Sequence, residues 1–130
     1  MKKQDLPLSP HLQIYKPQIT SLLSISHRIS GVALNFVLII LVLGLLCITL
    51  GESYFELLVS LINSFPIKII IFLAILGFSY HFLNGIRHMI WDFGFLLGNR
   101  SSAIFGYIII ATSFISSILI SRLLGLFWWI

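Results

Sequence analysis

Apolar residues run almost unbroken through three stretches of this 130-residue chain, at about 24–50, 66–90 and 102–121. Each is long enough to cross the roughly 30 Å hydrocarbon core of a bilayer as a helix. The first is nearly pure Leu, Ile, Val and Phe from Val32 onward; Gly51 ends it, and Glu52 and Glu56 mark a short connecting loop. Pro66 opens the second at a first-turn position, where its missing N–H costs nothing. Trp91, Asp92, Phe93 and Gly94 form an interfacial exit, followed by the polar turn Gly98, Asn99 and Arg100. Arg122 lies near the end of the third stretch, and Trp128 and Trp129 are expected as interface anchors. Ahead of the first stretch, Pro7, Pro10 and Pro17 predict an arm that is mostly extended or turning, with Thr20 or Ser21 placed to cap the helix that follows. The expected fold is all-α: an integral membrane bundle of three transmembrane helices, one domain over 1–130, with residues 1–20 as an extramembrane arm.

Composition sharpens the class. Hydrophobic residues make up 58% of the chain and charged residues 9%, a surface that a soluble domain could not keep dispersed. The formal net charge of +4 does not argue for nucleic acid, because the basic residues cluster at span ends. Lys2, Lys3, Lys16 and Arg28 lie on the N-terminal side and Arg87 and Arg100 beside the second connection, against Lys68 with two glutamates and Arg122 elsewhere. The excess predicts an inside N-terminus, an inside 91–101 turn and an outside C-terminus. Cys47 is alone and mid-span, so neither a disulfide framework nor a cysteine metal site is expected. The start of the chain is too polar and proline-broken for a secretory signal and lacks the Arg/Ser-rich amphipathic stretch of an imported organellar precursor. No internal repeat or pair of broken spans supports a small transporter.

Ionisable side chains in apolar spans are costly and mark functional sites by default. Ser24, His27, Arg28 and Gly31 recur at i, i+3, i+4 and i+7, one helical face at the expected inner boundary. A hydroxyl and an arginine there can hydrogen-bond a quinone carbonyl or a carboxylate-bearing ligand, while Arg28 can equally snorkel to the interface as a plain anchor. His81, Asn84, Gly85 and His88 share a face of the second span, with His81 about 10 Å deeper than His88. A buried membrane histidine can simply bond a neighbouring helix; a neutral imidazole beside Gly85, which leaves room for a flat macrocycle, fits axial haem ligation better. His81 and His88 project from one side of one helix, and His27 lies too near the boundary to face His81 across a ring. If His81 ligates haem, the second axial ligand therefore comes from another polypeptide, and His27, Arg28, Arg87 and His88 suit the propionates. Asp92 reads as an interfacial charge paired with Arg87 or Arg100, and Tyr80 and Tyr107 as packing or belt residues.

Two long motifs carry a family resemblance over the whole chain. Leu8-Ser9-Pro10-His11-Leu12, Ile14-Tyr15-Lys16-Pro17-Gln18 and Ser24-Ile25-Ser26-His27-Arg28-Ile29-Ser30-Gly31 resemble the cytochrome b subunit of succinate dehydrogenase, respiratory complex II. His81-Phe82-Leu83-Asn84-Gly85-Ile86-Arg87-His88, with Met89-Ile90-Trp91-Asp92 trailing, is similar to that family's second signature. The resemblance implies a membrane anchor paired with a second small membrane-anchor subunit, the two together holding a flavoprotein subunit and an iron–sulfur subunit on the inner face. It implies one haem b shared between the anchors, with His81 as this chain's axial ligand to the iron and His27 and Arg28 near the propionates. Ser24 and Arg28 match the ubiquinone site, and the arm 6–19 would meet the extrinsic subunits. No catalytic residue is expected in the chain, which has no flavin or iron–sulfur motif and cannot oxidise succinate by itself. The implied location is a bacterial inner membrane or a mitochondrial inner membrane. The alternative is a haem-free structural anchor of the same type of complex, with His81 making helix contacts alone.

Overall fold

The computed structural model describes residues 17–127. Four helices follow one another: α1 (Ile19–Thr49), α2 (Glu52–Asn63), α3 (Phe65–Asp92) and α4 (Asn99–Leu123), with no strand among the described residues. Of these, α1, α3 and α4, of 31, 28 and 25 residues, are long and apolar enough to cross a membrane. At 1.5 Å per residue even α4 reaches about 37 Å, beyond the hydrocarbon core.

The expected connecting loop after the first span is instead α2. Phe55, Leu58, Val59 and Ile62 recur at helical spacing on one side of it, with Glu52, Glu56 and Asn63 on another. At 12 residues it is about 18 Å long, too short to cross, and its two-sided pattern is that of a helix lying in the interface plane. Two glutamates in an apolar context read as loop punctuation, whereas they are the polar stripe of a helix. Gly51, at φ +118°, makes the turn between α1 and α2, a backbone that a Cβ would strain. Ser64 alone separates α2 from α3, and Pro66 sits in the first turn of α3 as expected.

Other boundaries also move. Gln18, not Thr20 or Ser21, stands at the N-cap of α1, without a side-chain cap bond, so the helix begins five residues before the predicted span. Helix α3 continues through Trp91 and Asp92, and Asn99 and Arg100 open α4 instead of forming a turn. The expectations for residues 1–16 and for Trp128 and Trp129 lie outside the described residues.

The packing is inverted relative to a water-soluble domain. Among the described residues, Leu23, Ile109 and Leu126 are the buried hydrophobic ones, whereas Ser79, Asn84, Arg87, Ser102, Ser113, Ser117 and Ser121 are buried polar ones. Long apolar side chains such as Ile29, Val32, Phe36, Leu41 and Phe82 point outward. In hydrocarbon, apolar side chains gain nothing by hiding from lipid, and small residues let helices approach closely. Helix α4 shows this most clearly. Its buried face is Ser102, Gly106, Ile109, Ser113, Ser117 and Ser121, and a Cβ on Gly106 would collide with Leu23 Cδ1 of α1.

The ends of the spans are tied by side chains. The Leu23 carbonyl of α1 accepts from Tyr80 Oη at 2.8 Å and from Asn84 Nδ2 at 3.4 Å. Arg87 of α3 donates to the Ser102 carbonyl of α4 at 3.1 Å and to Ser102 Oγ at 2.9 Å. Phe72 meets Phe127 edge-on at 6.3 Å near the other end, so α3 and α4 run antiparallel. The start of α1, the end of α3 and the start of α4 therefore share one end of the bundle.

Candidate functional site

That shared end holds the ionisable side chains. His27 is eight residues into α1 and thus about 12 Å along it, while His81 and His88 lie about 16 Å and 6 Å from the end of α3. The early start of α1 draws His27 inward, to a level between the two α3 histidines. The rings of His27 and His81 stack, with centroids 4.1 Å apart and planes 9° from parallel. His88 tilts against the other side of His27 at 5.1 Å, and Trp91 meets His88 edge-on at 5.1 Å. The expectation that His27 stays at the boundary, away from His81, is thereby corrected.

Hydrogen bonds lock this pair reciprocally. His27 Nε2 donates to the His81 carbonyl at 3.2 Å, and His81 Nδ1 donates to the His27 carbonyl at 3.1 Å. A carbonyl oxygen only accepts, so each of those nitrogens carries the proton. The His81 tautomer follows: Nδ1–H bonded, Nε2 with the lone pair. Ser30 Oγ lies 3.0 Å from His81 Nδ1 and donates to the His27 carbonyl at 2.8 Å.

The glycines are assigned differently from expectation. Gly85 faces His27, with Nε2 3.8 Å from where a Cβ would stand. Gly31, on α1, lies beneath His81, where a Cβ would come within 2.9 Å of Cε1. The glycine in closest contact with His81 is therefore Gly31 of α1.

The predicted face of Ser24, His27, Arg28 and Gly31 splits in two. His27 and Gly31 turn toward α3, whereas Ser24 and Arg28 line an outward groove of about 320 Å³ with Thr20, Ser21 and Ile25. A serine hydroxyl and a guanidinium one turn apart are suited to a carbonyl or an anion, but α1 alone supplies the lining.

Arg87 is not with the boundary set either. It is fully buried, donating to Asn84 Oδ1 at 3.3 Å and to Ser102, with its guanidinium carbon 4.1 Å from the Trp91 ring centre. Asp92, on the exposed side, is not the partner that Arg87 takes. Tyr80 is a packing residue as expected, through its bond to the Leu23 carbonyl. Ser30 and Ser102 escaped the sequence reading; Ser30 could have been found as the polar position three residues after His27 on the same helix.

The donor set suits a b-type haem in one way. Rings in stacking contact leave no space for a macrocycle between His27 and His81. The His81 Nε2 lone pair, freed by the Nδ1–H bond, is a competent single axial ligand, and a carbonyl acceptor on the far nitrogen is the usual support for a metal-bound imidazole. No group of three or more His, Cys, Asp or Glu among the described residues is placed to hold a metal ion together, and a single histidine ligand requires none.

Three long apolar helices packed through small, polar residues, with histidines interlocked at a helix crossing, define a small helical membrane protein. Residues 2–120 match the family described as succinate dehydrogenase/fumarate reductase transmembrane subunit. The chain is 42% identical over 114 residues, 88% of its length and 89% of the relative's, to the succinate dehydrogenase cytochrome b556 subunit of Rickettsia typhi. It is 45% identical over 101 residues to the cytochrome b560 subunit of Marchantia polymorpha, covering 73% of each chain. Against the b560 subunit of Chondrus crispus it is 44% identical over 104 residues, 74% of this chain and 78% of that one. The protein belongs to the family of transmembrane subunits of succinate dehydrogenase/fumarate reductase.

Proposed function

We propose that this chain is the haem b-bearing membrane anchor of a succinate:ubiquinone oxidoreductase, with His81 as its axial ligand to the iron. The observation that carries the reading is the contact of His81 Nδ1 with the His27 carbonyl at 3.1 Å. With Nδ1–H held by the His27 carbonyl, Nε2 is the nitrogen left to ligate. A further ligand would come from a second small membrane subunit, because the nearest imidazole among the described residues, His27, is stacked on His81. His27 and His88, in contact with each other, and Arg28 on the same stretch of α1 would hold the propionates. When bound, the haem would supply a one-electron store within the membrane.

Ser24 and Arg28 line the groove for ubiquinone. Their hydroxyl and guanidinium would hold a quinone carbonyl and stabilise the negative charge that develops on its oxygen during reduction, the usual work of preorganised donors. The open side of the groove is closed by the iron–sulfur and second anchor subunits, and electrons arrive from the flavoprotein that oxidises succinate. The chain acts as one membrane-anchor domain with its N-terminus on the inner side of a bacterial or mitochondrial inner membrane.

A second reading is a haem-free anchor. The reciprocal ring–carbonyl bonds of His27 and His81 favour it, since they form a complete helix–helix contact by themselves. A reduced-minus-oxidised optical spectrum separates the two, taken on the complex purified through a tag on this chain. A b-type band in wild type that disappears in His81→Ala is expected; no band in wild type leaves the haem-free anchor.

A further inference from the structure

We infer that Ser30 and Gly31 of α1 are positioning residues that set the tautomer and the aim of His81, which is carried by α3. The inference rests on the proposed ligation by His81 and deepens it. Three atoms form a closed polar triangle: His81 Nδ1, Ser30 Oγ and the His27 carbonyl oxygen, separated by 3.0, 3.1 and 2.8 Å. Only one proton arrangement satisfies it. The carbonyl offers lone pairs alone, so the serine hydroxyl proton points at it, and the serine lone pair is left for His81 Nδ1–H. The opposite tautomer would set the Nδ1 lone pair against the carbonyl lone pairs. Nδ1–H is therefore shared between two acceptors of α1, and rotation of the imidazole is opposed on both sides.

Gly31 acts on the ring carbon between the two nitrogens. Cε1, the carbon bonded to Nε2, rests against bare backbone where a Cβ would come within 2.9 Å. Contact at that distance is tighter than carbon atoms tolerate, so a methyl group at residue 31 pushes Cε1, and Nε2 moves with it. Stacked His27 blocks one face of the ring, which limits the ways it can yield. Ligand basicity and ligand direction are both properties of α1, although the ligand belongs to α3.

The test uses the whole complex, purified through a tag on this chain, as wild type, His81→Ala, Ser30→Ala, Ser30→Thr and Gly31→Ala. Threonine keeps an oxygen able to bond the carbonyl one turn back. Haem content is read from the reduced-minus-oxidised band per complex. The ferric-to-ferrous ratio is read at an ambient potential fixed at the wild-type midpoint, and the low-spin EPR signal reports ligand orientation. Ser30→Ala loses an acceptor from Nδ1–H, which weakens the imidazole as a donor to ferric iron. Its ratio should shift about threefold toward ferrous, the scale of part of one hydrogen bond, and Ser30→Thr should restore it. Gly31→Ala should move the EPR g-values or lower haem content in an assembled complex. A wild-type ratio and signal in both Ser30→Ala and Gly31→Ala, with the band still lost in His81→Ala, overturns the inference and leaves the ligand assignment standing. A shift in Ser30→Ala that threonine does not restore also overturns it. Absence of the band in wild type removes both.

Discussion

Replacing Arg87 by methionine should destabilise the bundle by about 3 kcal/mol without removing the haem signal. Arg87 is fully buried between α3 and α4 and makes three hydrogen bonds, one to Asn84 Oδ1 and two to Ser102. Side-chain hydrogen bonds between membrane helices average roughly 0.6 kcal/mol, so the two to Ser102 contribute about 1, and the bond to Asn84 within α3 adds about 1. The guanidinium over the Trp91 ring, at 4.1 Å, adds about 1 kcal/mol in a desolvated setting. Methionine retains much of the volume, which keeps the cavity contribution small and isolates the polar part. The assay is thermal unfolding of the purified complex in detergent, followed by release of this chain and set beside its haem band per complex. Arg87→Lys keeps the charge but not the forked donors, and should fall between methionine and wild type. An Arg87→Met complex as stable as wild type but depleted of haem would refute the reasoning, because Arg87 would then serve the cofactor rather than the α3–α4 contact.

Further expectations follow from the same geometry. Ser24→Ala or Arg28→Ala should impair ubiquinone reduction while succinate oxidation by an artificial acceptor survives; an equal fall in both activities would remove these residues from the quinone site. Gly106→Ala should cost about 1–3 kcal/mol, since the added methyl meets Leu23, itself buried, and overpacking has nowhere to relax; assembled complex per cell measures it against Gly77→Ala, where nothing lies within 4 Å. Gly51→Ala should lower stability by about 1 kcal/mol through backbone strain at φ +118°, visible as a lower unfolding midpoint with activity per assembled complex unchanged.

The three spans were legible because hydropathy over 20 residues depends little on what surrounds a helix. The site was legible as residues but not as an arrangement. A span that begins at about Ser24 places His27 at the boundary. Helix α1 instead starts at Ile19 and carries His27 inward to His81. Helical spacing put Ser24 and His27 on one face, although 300° of rotation separates them by a sixth of a turn, enough to face different neighbours. Arg87 and Gly31 failed for a related reason. Adjacent residues in a motif look like one cluster, and only the packing of α1, α3 and α4 decides which way each one turns. Helix α2 was hidden by its glutamates, whose spacing of four carried the helical signal.

The serines of α4 have a consequence for how this helix can drift over generations. Ser113 and Ser117 bond carbonyls one turn back in their own helix, at Ile109 and Ser113. Their hydroxyls ask nothing of α1 or α3, and the neighbouring helices sense only their size. Alanine or glycine at either position should pass unnoticed, whereas leucine should not. Ser102 is the opposite case, since its hydroxyl is claimed by Arg87 of another helix. One face of α4 is thus written in two alphabets, volume along most of its length and chemistry at its first turn.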